Sequence, residues 1–371
     1  MGCKFCSLLL AAGLLLASSG PARTQAPGAS SFPLRVEAAE VFGADAALGS
    51  ALAGRVAPNG NVYVVDHVNA QTVAFSPEGR LLWRRGRKGR GPGEFQLPYR
   101  LDVRPDGTVL VYDLATSEIT SMSPAGRYVG RARLPFRFAQ IDNFVSVSNN
   151  EIVAAGVLDL NTPNNRFGLH RFRFTGQQVE HLGSFGPLPA VRDPLVLQYW
   201  GAGSLSLAAG GNVLYARRLP YEVYQYDRTG RQTRTFRTAV ALRGTADDFF
   251  RIERSARGMS VSATDTRNQK PGPLLELSGG WVLASRVANG PDYWDLYSPS
   301  GQPAGSRAIP EEWGGFLGFD AARSVIWMTG VRNDEPVLFR IRVSRGGGNQ
   351  PTSRRAPEGF TMKRAPARSG G

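Results

Sequence analysis

The sequence predicts an all-β fold, a six-bladed β-propeller whose ring is closed by an N-terminal strand that completes the last blade. Three observations carry the prediction. First, a module returns about every 44 residues: a small-residue turn, two short apolar strands, then Ser/Asp-x-x-Gly and a further strand. It is clearest as APNGNVYVVD followed by AFSPEGRLLW, and again as RPDGTVLVYD followed by SMSPAGRYVG. Second, five of six modules turn through a Gly-containing hairpin (SPEG, SPAG, FTG, DRTG, SPSG) into a fourth strand. Third, the body holds no amphipathic helix of about 12 residues or more, which a doubly wound fold would require.

Taken in order, the chain opens on residues 1–26, where Lys4 precedes an apolar run from Leu8 to Ala17 and a small-residue exit ending Thr24-Gln25-Ala26. This reads as a removable secretory signal, since the run is far short of the ~20 residues needed to span a bilayer. Cys3 and Cys6 precede the run, whereas a lipid-anchored cysteine would follow it. Position 6 is Cys where a myristoylation pattern wants Ser or Thr. The mature chain would contain no cysteine, so its stability has to come from its core. Strand-like LRVEAAEVFG follows without a module of its own and is expected to supply the missing strand of the sixth blade.

The propeller is expected over 27–343, with blades starting near 51, 99, 143, 203, 273 and 315. Second strands are expected at Asn61–Val65, Val109–Tyr112, Glu151–Ala155, Val213–Ala216, Trp281–Ser285 and Val325–Met328. Residues 344–371 read as a disordered basic tail. Of the formal charge of +14, the first 26 residues hold +2 and the tail +5, which leaves a moderate +7 on the body.

Connection lengths orient the ring. First-to-second and third-to-fourth connections are tight. Length accumulates at 156–167, 186–204, 238–273, 286–292 and 329–336, all on one face of a propeller, and insertions on one side of a repeat ring mark its binding side. Phe249, Phe250 and Ile252 are expected to begin a short helix capping the channel.

The stretch GRKGRGPGEFQLP leading into LDVRPDGTVLVYD resembles the inter-blade signature of NHL-type six-bladed propellers, and DHVNAQTVAFSPEG resembles that family's Asp-x-x-Asn hairpin. The likeness covers residues 57–135. Blades three to six keep the spacing but lose the Pro-Gly-Glu-Phe segment.

No GxSxG elbow, HExxH pair, Walker loop or Rossmann fingerprint is present, and three histidines make a multi-histidine metal site untenable. His170 and His181 fall in outer strands. Calcium is the one metal the upper loops could accommodate, through Asp66, Asn69 and Asp113, an arrangement similar to that of propeller lactonases; Asp66 and Asn69 read more simply as hairpin formers. No other cofactor is expected. Arg85, Arg87, Lys88 and Arg90 belong to the densest basic cluster of the body, but no aromatics interleave with it, so nucleic acid is not the expected partner. Arg192, Tyr199 and Trp200 in the insertion before blade four, and Asp292 before a third strand, complete the candidate binding residues.

The expected function is that of a secreted or periplasmic, monomeric binding module that engages a protein, peptide or glycan ligand on the long-loop face. The alternative is a calcium-assisted hydrolase or lyase of lactonase type at the channel mouth. A surface-adhesion protein using the basic tail is a third reading.

Overall fold

A computed structural model of the chain describes residues 33–43, 46–50, 53–159, 161–162, 165–191, 193, 195–200, 202–218, 221–238, 250–255, 258–263, 270–287 and 292–345. The expected signal, the tail beyond 345 and Arg192 lie outside these residues. No helix among the described residues is long and apolar enough to cross a membrane.

Strand β1 (Leu34–Phe42) is followed by blade one, made of β2 (Ala53–Val56), β3 (Val62–Asp66), β4 (Gln71–Phe75) and β5 (Leu81–Arg85). Blade two is β6 (Pro98–Val103), β7 (Val109–Asp113), β8 (Glu118–Met122) and β9 (Tyr128–Arg133). Blade three is β10 (Phe138–Ser146), β11 (Glu151–Leu158), β12 (Phe167–Thr175) and β13 (Gln178–Pro187). A six-residue helix, α1 (Leu195–Trp200), precedes blade four, which is β14 (Gly203–Leu207), β15 (Val213–Arg217), β16 (Glu222–Tyr226) and β17 (Gln232–Phe236). A hairpin of β18 (Phe250–Ser255) and β19 (Gly258–Ala263) lies between blades four and five. Blade five is β20 (Lys270–Leu277), β21 (Trp281–Val287), β22 (Tyr293–Tyr297) and β23 (Pro303–Ala308). Blade six consists of β24 (Trp313–Asp320), β25 (Val325–Arg332) and β26 (Glu335–Arg345), and β1 is its fourth strand, antiparallel to β26 from Leu34↔Arg345 to Phe42↔Leu338.

Burial follows position within the blade. The second strands are flanked by strands on both edges and by neighbouring blades on both faces. They therefore read as near-continuous apolar runs, and all five residues of β3 and of β7 are buried. Outer strands meet water, as in β17, where four of five residues are exposed. The apolar clusters lie between successive blades. Tyr63, Phe95 and Val111 join blades one and two; Tyr112, Phe144 and Phe172 join two and three; Val64, Phe75, Trp327 and Leu338 join six and one.

The Pro-Gly-Glu-Phe segment proves to be a structural joint. Phe95, 1% exposed, plugs into the cluster between blades one and two. Its backbone pairs with the preceding arm (Phe95 N–H to Arg87 O, 3.0 Å; Gly89 N–H to Phe95 O, 2.9 Å). Gly86, at φ +105°, leaves the room that the Phe95 ring uses, since a Cβ there would sit 2.7 Å from the ring.

Two local expectations are corrected. The segment around Phe250 and Ile252 is a strand hairpin and not a helix, FRIERS pairing register by register with GMSVSA from Phe250↔Ala263 to Ser255↔Gly258; Phe249 lies outside the described residues. Residues 329–336 form no long loop. β25 and β26 continue to the pair Arg332↔Glu335 and turn at Asn333 and Asp334, both left-handed (φ 51° and 63°), a conformation these two residue types tolerate.

Blade three carries a polar bridge around the buried His170 that makes stability depend on pH. His170 Nδ1 and His181 Nε2 lie 2.8 and 2.9 Å from Ser184 Oγ, and His170 Nε2 is 3.3 Å from Gly156 O. Burial holds the His170 imidazole down at about 4 against an ordinary 6.5, and burial lowers His181, its titratable neighbour, in the same direction. As pH falls, the unfolded chain takes up these protons first. Stability is therefore full above pH 6.5, declines between 6.5 and about 4 by roughly 3 kcal/mol for His170, and levels off below. Urea midpoints measured across this window should show the decline in the native chain and a flatter profile in His170→Gln; identical slopes would contradict the assignment.

Candidate functional site

The first strands of the six blades stand innermost and line the channel. Each begins on the long-connection face, and the channel between them holds a cavity of about 330 Å³. Much of its wall is apolar or glycine: Gly54, Leu101, Phe144, Leu205, Leu274 and Phe316. Into this wall the sequence places five charged side chains, Arg55, Arg100, Asp102, Asp142 and Arg218.

Two ion pairs order four of them. Arg55 Nε lies 3.1 Å from Asp102 Oδ1 across blades one and two, and Asp102 Oδ2 accepts the Ser146 N–H of blade three at 2.5 Å. The Asp102 side chain is 2% exposed, and burial pushes its carboxyl above the usual carboxylate range against the pull of Arg55. Arg218 Nη2 lies 2.8 Å from Asp142 Oδ1, while Asp142 Oδ2 accepts the Ala202 and Gly203 N–H groups at 2.7 and 3.0 Å. Asp142 therefore anchors the start of blade four. Its neighbour Asn143 does the same by pairing with both backbone groups of Leu205.

Arg100 is different. Its guanidinium donates to two backbone carbonyls, Tyr99 O (3.0 Å) and Asp142 O, and lies 3.8 Å over the Tyr99 ring. Neither described ion pair uses it, and burial pulls it below its ordinary value. The described charged groups lining the cavity thus sum to +1, in a setting where apolar walls strengthen every charge.

The residues singled out from sequence divide. Asp66 and Asp113 end the second strands of blades one and two and act as structural caps. Asp66 accepts Gly49, Ser50 and Asn69 N–H groups at 3.0, 3.1 and 3.2 Å, with the Asn69 and Gln71 side-chain amides at 2.7 and 3.2 Å. Asp113 accepts Gln96 and Leu97 N–H groups at 2.6 and 3.0 Å, and Ala115 and Thr116 N–H groups at 3.0 and 3.2 Å. Both carboxylates are filled with N–H donors, the hairpin-forming role. Among the described residues no group of three or more His, Cys, Asp or Glu is placed to hold a metal ion.

Arg87 pairs with Glu94 at 2.7 Å, Lys88 Nζ donates to Gln96 O at 2.7 Å and Arg85 Nη1 to Arg84 O at 2.8 Å, so these three decorate the joint between blades one and two. The Glu94 carboxyl is held low by the Gly91 N–H and then by Arg87. Arg90 stands apart, at the wall of a second cavity on the same face. Tyr199 and Trp200 end helix α1, and Asp292 precedes β22 with its carbonyl accepting the Ile309 N–H at 2.8 Å. Sequence reasoning missed the channel residues themselves. The available signal was a charged side chain on a first strand (AGRV, PYRLDV, FAQIDNFVS), the strand that faces the axis.

The fold has known counterparts. A putative exported protein from Bacteroides fragilis superposes with a TM-score of 0.57 at 12% identity, covering 85% of this chain and 97% of that one. A DUF4221-family protein from Bacteroides vulgatus gives 0.54 at 10% identity over 84% and 98%. The WD40 repeats of RRP9 give 0.51 at 10% over 84% and 100%. At these identities the likeness is one of fold. No family profile matches the chain, and no curated protein sequence does.

The Asp142 arrangement makes a stability prediction. Asp142→Ala removes one ion-pair partner of Arg218 and the acceptor of two backbone N–H groups, and should cost about 3–5 kcal/mol. The double variant with Arg218→Ala should cost clearly less than the sum of the two singles, measured by chemical denaturation. Additive losses would show that the pair is not coupled.

Proposed function

We infer that this chain is an exported six-bladed propeller that acts as a binding module and takes a small anionic ligand, a carboxylate or phosphate monoanion, at the channel mouth on the long-connection face. The observation that carries the reading is Arg100. It is a guanidinium oriented by two carbonyls and an aromatic ring inside a concave, largely apolar cavity, while the carboxylates beside it are engaged by Arg55 and Arg218. A planar guanidinium pre-set in this way is suited to fork-like recognition of an oxyanion, with little ordering cost on binding. The signal-like N-terminus and the NHL-like signature of blades one and two are in keeping with the same reading, as is the fold likeness to an exported protein.

Thermal unfolding against a panel of small carboxylates and sugar phosphates tests it. A true ligand at a hundredfold excess over its dissociation constant adds about 2.7 kcal/mol and raises the midpoint. Arg100→Ala should weaken that ligand about tenfold or more, as expected for losing a charge-assisted fork, without lowering the unliganded midpoint by a comparable amount. Stabilisation by calcium that EDTA reverses, together with turnover of an ester or lactone, would replace the binding module with the metal-assisted enzyme.

A further inference from the structure

We propose that the long-connection face carries a second ligand site, a basic cleft on blade two, between the connections that enter and leave it, that binds an acidic glycan through its carboxylate or sulfate groups. The cleft encloses about 560 Å³ and is formed by the connection into blade two, the turn between β7 and β8, and the chain from the end of β9 into blade three. Arg90, Arg131, Arg133 and Arg137 line it against one carboxylate, Glu118. Glu118 is already engaged, at 3.6 Å from Arg131 and 3.4 Å from Arg133. Arg90 and Arg137 are exposed and have no ion-pair partner among the described residues. The net charge of these groups is +3.

The floor is built rather than incidental. Arg131 is held by three backbone carbonyls of the Gly-rich joint, Arg90, Gly91 and Glu94, at 3.3, 3.1 and 2.8 Å, so its guanidinium is fixed before any ligand arrives. The wall also holds Gln96, half-buried, whose amide can both donate to and accept from hydroxyls. Spaced oxyanions on a scaffold of hydroxyls are the chemistry of an acidic saccharide. A nucleic-acid strand would want exposed aromatic faces; Phe136, the aromatic residue of the cleft, is half-buried and edge-on to His181 at 4.9 Å.

This site is independent of the channel, and its test separates the two. Binding of oligogalacturonate to the full chain is measured by calorimetry at two salt concentrations, with neutral malto-oligosaccharide, inorganic polyphosphate and single-stranded DNA as comparisons. The expected result is binding of oligogalacturonate that weakens with salt, is lost about tenfold or more in Arg133→Glu/Arg137→Glu, is partly kept in the Lys versions and is unchanged in Arg100→Ala. Both substituted side chains are exposed, so the fold is retained, and an unaltered thermal midpoint checks this. Equal binding of acidic and neutral saccharides, tighter binding of polyphosphate or DNA, or indifference to the charge reversal would overturn the proposal.

Discussion

Pairing of β1 with β26 is the interaction on which the rest of this molecule depends. The large apolar clusters are shared between neighbouring blades, and the one between blades six and one forms only where the two ends of the chain meet. Closure also removes the edge that β26 would otherwise present to other chains. The joint is reinforced on its outer side. Phe42 lies 5.8 Å from Trp327, and Arg340 pairs with Glu40 at 2.6 Å while stacking over Phe42. Gly79, at the tip of the first blade's hairpin, has φ +83° and a surface into which the Phe42 ring fits so closely that a Cβ would overlap it.

Closure is also what allows charge to be placed at the axis. A first strand has its partner on one edge only and its neighbours across the channel, so charged side chains there must satisfy one another between blades. Asp102 reaches from blade two to Arg55 of blade one and Ser146 of blade three; Asp142 reaches from blade three to the start of blade four and to Arg218. These bonds tie neighbouring blades together at the channel. The same arrangement leaves Arg100 oriented by two carbonyls and the Tyr99 ring. A net positive charge in the channel cavity thus follows from how the inner strands are held. Blade five solves a similar problem internally, with Arg286 and Asp295 in a two-point pair at 2.7 and 3.1 Å, buried within the sheet.

Much of the ring was legible from local chemistry. Second strands such as VYVVD and VLVYD announce themselves because burial on both faces demands an apolar run, and SPEG or SPAG turns do so because glycine must adopt positive φ. Asp66 and Asn69 were readable as a hairpin, whereas the reach of Asp66 back to Gly49 and Ser50 was not, being a contact between segments whose proximity only the blade creates. The hairpin at 250–263 was misread because Phe-Phe-Arg-Ile suits either period over so short a window. The site was legible least of all. Arg55, Arg100 and Arg218 are single charges far apart in sequence, brought to one cavity by the curvature of the ring. The basic cluster that stood out in sequence contributes Arg90 to a cleft, while its other members serve the joint.

The central claim, an oxyanion seat at the channel mouth on Arg100, is tested most directly by locating anions in a crystal of the protein grown in bromide. The account predicts an anomalous peak beside the Arg100 guanidinium within the channel, absent in Arg100→Ala crystals of the same form. Anomalous peaks confined to the outer surface, with the channel mouth holding none, would contradict it.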